Sequence, residues 1–84
     1  MNAHDLQRLT GIFRTLFNDD NLVLRDDLTA PDVPGWDSMN HVTLVVLIEE
    51  EFQVRFTTDE VTSFQNVGDL IRVLGEKLVV RKAA

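Results

Sequence analysis

The sequence predicts an all-α fold: a small four-helix bundle of three longer helices and one short one, with a long loop between the first and second. Three observations carry this. Apolar residues recur at i, i+3, i+4 and i+7 in three separate segments. A Thr-x-x-Glu box opens a fourth. The most apolar segment is too long for a strand and lacks strict alternation. With 84 residues the chain has room for one domain, 1–84, which at that size buries only about 60–65% of the surface it exposes unfolded. It contains no cysteine, so neither a disulfide nor a thiolate metal site can staple it. Two histidines, His4 and His41, cannot by themselves close a four-ligand zinc site. The core falls to aliphatic side chains and five phenylalanines.

The first helix is expected at about 4–17, where Leu6, Leu9, Ile12, Phe13, Leu16 and Phe17 form one stripe and Arg8 and Arg14 lie off it. Asn18 to Asp37 has no sustained period and holds Pro31, Pro34, Gly35 and six aspartates, the composition of a connection. A loop this long in a compact domain is usually functional. Leu22, Leu24, Leu28 and Val33 are expected to pin it to the core. The second helix, 38–52, steps through Met39, Val42, Val45, Val46 and Phe52, and Leu44, Leu47 and Ile48 widen that stripe over most of the circumference. Such a helix is expected to be central. The third, 58–65, starts at a capping box with Thr57 as cap and Glu60 three residues on, flanked by Phe56 and Val61 at staple positions. Asn66 can cap the fourth, 67–79, with Val67, Leu70, Ile71, Leu74 and Leu78 on its stripe and Gly75 weakening it. Residues 81–84 are expected to fray.

Net charge is −6, which argues against nucleic acid or an anionic membrane as partner. The longest apolar run, Leu44 to Ile48, is far short of the roughly 20 residues that span a bilayer. No signal peptide is visible at Met1 to Asp5, so a cytoplasmic protein is expected. Between Thr15 and Ile71, twelve acids face only Arg25 and Arg55. That middle serves solubility or docks basic partners.

Intrinsic catalysis is not expected. Asp19-Asp20 and Asp26-Asp27 sit in a polar loop without an apolar pocket, and Glu49-Glu50-Glu51 fans around a helix without converging on a metal. There is no Gly-rich phosphate loop, and Gly35-Trp36-Asp37-Ser38 lacks the nucleophile-elbow pattern. His41 lies one turn after Ser38 and could serve it as a base, but nothing obvious orients it. What remains is Ser38, where the long loop meets the most apolar helix. Either Asp37 or Ser38 can be the N-cap. A serine at a helix N-terminus has a second capability, since free N–H groups and the positive dipole end favour an attached phosphate.

Trp36-Asp37-Ser38-Met39, followed by the Val42-to-Phe52 stretch ending in Glu-Glu-Glu-Phe, resembles the acyl carrier proteins, whose Asp-Ser-Leu motif here has Met39 for Leu. The resemblance runs through Phe56-Thr57 and Val67-Gly68-Asp69-Leu70-Ile71 and covers about Leu6 to Leu78. It implies that a phosphopantetheinyl transferase, using coenzyme A and magnesium, attaches phosphopantetheine to Ser38. Asp37 would present the serine, and Met39 would form an apolar lip beside the arm. It also implies an acyl- or aminoacyl-loading ligase, a downstream synthase or transferase, and a monomeric carrier that is not an enzyme. Partner contacts are expected at Trp36, Asn40, His41 and Thr43 near the serine and at the acids Glu49, Glu50, Asp59 and Glu60. Trp36 has the plainer alternative of anchoring its loop. One departure stands out: Met39 to Ile48 carries no carboxylate, where carriers of general fatty acid synthesis are acid-rich. Docking near Ser38 is therefore expected to lean on shape and apolar contact, in a dedicated pathway. An unmodified acidic interaction module is the second reading, and a hydrolase built on Ser38 and His41 the third.

Overall fold

The computed structural model describes residues 2–83, with side chains described through residue 79. Four helices occur in the order α1 (Ala3–Leu16), α2 (Ser38–Phe52), α3 (Thr58–Ser63) and α4 (Val67–Ala83), with a 3₁₀ turn at Ala30–Asp32 and no strand among the described residues. Asn2 sets the start of α1, its Oδ1 accepting the Asp5 N–H at 2.8 Å, and Phe17 ends the helix as C-cap. The third helix stops at Ser63, two residues before the expected end, because Phe64 turns to extended backbone. The fourth is helical to Ala83, past the expected end at 79, and residue 84 lies outside the described residues.

The core is built from Leu9 and Phe13 of α1, Leu44, Ile48 and Phe52 of α2, Val67, Leu70, Leu74 and Leu78 of α4, and Leu22, Leu28, Val33 and Val54 from the loops. The stripe expected on α2 is therefore partly misplaced. Leu44, Val45, Ile48 and Phe52 are buried, whereas Met39, Val42 and Val46 are 82%, 58% and 45% exposed. A helix apolar nearly all round has little periodic signal, so its neighbours choose the buried face, not its own sequence. The helix is not enclosed on every side.

Arg8 clamps α1 to the end of α2. Its Nε donates to Glu51 Oε2 at 2.8 Å, Nη2 donates to the Glu51 carbonyl, and the guanidinium lies 4.4 Å from the Phe52 ring centre. The long loop is tied down near its start and at its middle. Arg14 Nε donates to the Leu22 carbonyl at 2.9 Å. The N–H groups of Val67 and Gly68, which no α4 carbonyl can accept, donate to Leu28 O and Asp26 O at 2.8 and 2.9 Å. Asn66 caps α4 through the Asp69 N–H, as its position predicts. The Cα radius of gyration, 12.1 Å, matches the roughly 12 Å of a folded chain this long, and Leu22, Leu28 and Val33 of the loop are buried in the core.

Candidate functional site

The N-terminus of α2 decides between the two possible caps. Asp37 has extended backbone (φ −113°, ψ −173°), and its Oδ1 accepts the Asn40 N–H at 2.9 Å. Asp37 is the cap. Ser38 becomes the first helical residue, exposed, with its hydroxyl engaged by no other described residue. The N–H groups of Ser38 and Met39 belong to the first turn and have no acceptor within the helix. A free hydroxyl thus stands at the positive end of a fifteen-residue helix.

Beside it opens a cleft of about 520 Å³, bounded by the start of α2, by α3 and by the start of α4. Trp36, Asp37, Ser38 and His41 line it together, so four of the residues singled out in the sequence converge here. Val42, Val61, Phe64 and Leu70 supply much of its apolar wall. Of these, Val61 and Phe64 read in the sequence as a staple and a core residue. Only the fold shows that their i, i+3 pair lines the same cleft as Ser38.

The other expected site residues are placed differently. Met39 is exposed beside Ser38, and Thr43 is exposed with its hydroxyl donating to Met39 O at 3.3 Å. Asn40 folds back, its Nδ2 donating to the Gly35 carbonyl at 2.6 Å. Glu49 accepts the Phe56 N–H at 2.8 Å and so closes the α2–α3 turn. Glu60 accepts the Thr57 N–H and pairs with Lys77 at 2.9 Å. Lys77, followed by the Thr57 N–H, holds the Glu60 carboxyl below its ordinary range. Glu50 and Asp59 are exposed.

His41 is unsuited to act as a base for Ser38. Its Nδ1 accepts the Trp36 indole N–H at 3.1 Å, and its Nε2 lies 3.0 Å from the Val61 carbonyl, so neither nitrogen is left for the serine. No group of three or more His, Asp or Glu among the described residues could hold a metal. No described helix is long and apolar enough to cross a membrane. The start of α2 thus offers an uncommitted hydroxyl at a helix N-terminus, with both nitrogens of the nearby His41 engaged elsewhere.

The family described as "Phosphopantetheine attachment site" matches residues 7–74. The acyl carrier protein of Phenylobacterium zucineum is 39% identical over 44 residues, covering 52% of this chain and 56% of that protein. The acyl carrier protein of Caulobacter vibrioides is 40% identical over 43 residues, covering 51% and 55%. These matches span about half the length of those curated relatives. The solution structure of a holo acyl carrier protein from Geobacter metallireducens superposes with a TM-score of 0.86 at 37% identity, covering 93% of this chain and 90% of that one. The chain belongs to the phosphopantetheine attachment family of acyl carrier proteins, whose cofactor is a covalently attached phosphopantetheine. The residues present fit that group: a free serine hydroxyl, two open N–H groups for its phosphate, and an apolar cleft alongside.

Proposed function

We propose that Ser38 is the attachment residue, and that the protein carries an acyl or aminoacyl group for partner enzymes. The observation that carries this reading is the division of labour at the start of α2. Asp37 takes the capping role, which frees the neighbouring hydroxyl for a transferase to reach. The arm, when bound, supplies the thiol on which the cargo is held as a thioester. The chain's own residues present the serine through Asp37 and favour the phosphate through the Ser38 and Met39 N–H groups.

The partners are then a phosphopantetheinyl transferase that draws on coenzyme A, a loading ligase, and a downstream synthase or transferase. The exposed row Met39, Val42 and Val46 runs along α2 from the serine and offers these enzymes an apolar contact. With Glu49 occupied by Phe56, and with no carboxylate between Met39 and Ile48, docking at this end rests on shape. This supports a dedicated carrier more than a housekeeping one, in a cytoplasmic setting.

The test is intact-mass measurement after incubation with coenzyme A, magnesium and a broad-specificity transferase. The expected result is a gain of one phosphopantetheine that Ser38→Ala abolishes. No gain under conditions that modify a known carrier overturns the proposal and leaves the unmodified interaction module.

A further inference from the structure

Trp36, His41 and Val61 belong to three different segments: the loop before Ser38, the second turn of α2, and α3. One imidazole joins them. The Trp36 indole can only donate, so His41 Nδ1, 3.1 Å away, must be unprotonated. The Val61 carbonyl can only accept, so His41 Nε2, 3.0 Å away, must carry the proton. The partners thus fix a neutral Nε2–H imidazole. Val61 O lies in the last turn of α3, where helical carbonyls lack partners, so the bond also satisfies an otherwise orphaned acceptor.

The rings support this line. His41 stacks on Trp36 with centroids 6.1 Å apart and planes 20° apart, and meets Phe64 edge-on at 6.3 Å. Trp36 in turn lies edge-on to Phe13 at 5.5 Å. Meanwhile α3 is six residues long and buries none of its own side chains, so it depends on such ties.

We propose that His41 is a positioning residue: in its neutral form it latches the Trp36 loop and α3 to α2 across the cleft, and so sets how Ser38 is offered to the transferase. The effect on modification rests on Ser38 being the attachment residue, while the latch itself rests on the geometry alone. Among the residues that line the cleft with His41, Asp37, the cap of its own helix, is the one other ionisable group. Val61 and Thr62 of α3, the Phe64–Gln65–Asn66 link and Leu70 of α4 are neutral, as is Ala30 of the loop.

Trp36 is the sole tryptophan, so its fluorescence and its indole N–H resonance report the latch directly. Both are expected to keep their wild-type values in His41→Gln, whose amide oxygen accepts from Trp36 and whose NH₂ donates to Val61. In His41→Phe, which keeps the ring packing but offers no acceptor, both should shift to the values of an indole without a partner. Modification is read by intact mass with two proteins competing in one mixture, which cancels the transferase's own pH dependence. At about pH 8, His41→Gln should match the wild type within about two-fold, and His41→Phe should fall about five-fold or more. A wild-type indole N–H resonance at the position of an indole without an acceptor overturns the latch, even if His41→Phe does not fold. A wild-type rate in folded His41→Phe overturns the positioning role. If the wild type is not modified at all, the Ser38 assignment fails, and the indole signals still decide the latch.

Discussion

Glu60 joins two helices through one carboxylate. Its Oε1 accepts the Thr57 N–H at 2.8 Å and lies 2.9 Å from Lys77 Nζ, while that ammonium also sits 5.3 Å from the Phe56 ring centre. Lys77 and then Thr57 lower its pKa from the ordinary 4.5, so the folded state favours the charged form. A group depressed in this way contributes stability that is present above its unfolded value and is lost as pH falls through its folded value. Asp32, lowered chiefly by the Thr29 N–H, acts in the same direction. Glu60→Gln is therefore expected to lower the urea midpoint at neutral pH, with the gap to the wild type closing as pH drops below 4.5. Parallel acid losses in both proteins would show that this carboxylate carries none of the effect. The Thr57–Glu60 box was legible because its partners are three residues apart. Lys77 was not, and neither was the Trp36–His41–Val61 line, since such pairs meet only after the chain has closed on itself. The choice of Asp37 over Ser38 as cap was equally hidden, because both residue types serve and only the backbone angles separate them.

Two helical glycines show how far an element answers to its surroundings. A Cβ on Gly11 would meet nothing within 4 Å, so Gly11→Ala in the middle of α1 is expected to stabilise by up to about 1 kcal/mol. A Cβ on Gly68 would lie 2.9 Å from the Asp26 carbonyl oxygen, a backbone atom that the Gly68 N–H itself holds. Gly68→Ala should loosen that bond and its neighbour at Val67, a net loss of about 1–2 kcal/mol after the better helix propensity is counted. Thermal melts decide both. Midpoints are expected to move in opposite directions, about 4–8 °C per kcal/mol, and a stabilised Gly68→Ala would refute the close approach. Propensity alone gives both substitutions one sign. The same limit explains the misread face of α2, where Met39, Val42 and Val46 fitted a helical stripe as well as Leu44, Ile48 and Phe52 did. The stripes on α1 and α4 were clearer because polar residues interrupt them, although Leu6 still lies 38% exposed.

At the scale of the molecule, the charge carried by this small chain opposes its own compaction. Net charge is −6, and the loop, α2 and α3 hold most of the acids. Raising ionic strength from about 0.01 to about 0.15 M shortens the screening length from about 30 to about 8 Å. The melting midpoint is expected to rise by roughly 2–5 °C, measured by circular dichroism in sodium chloride. A fall would mean that the Arg8–Glu51 and Glu60–Lys77 pairs outweigh the repulsion. The helix order and the long loop were readable from sequence, because stripes and breakers are local. Where that loop is fastened was not. Its carbonyls at Asp26 and Leu28 meet residues 67 and 68. These pairings join points far apart along the chain, so the start of α4 cannot find its acceptors until most of the polypeptide has been threaded into place. Refolding should accordingly be slower than for an up-and-down bundle whose pairings are all between neighbours.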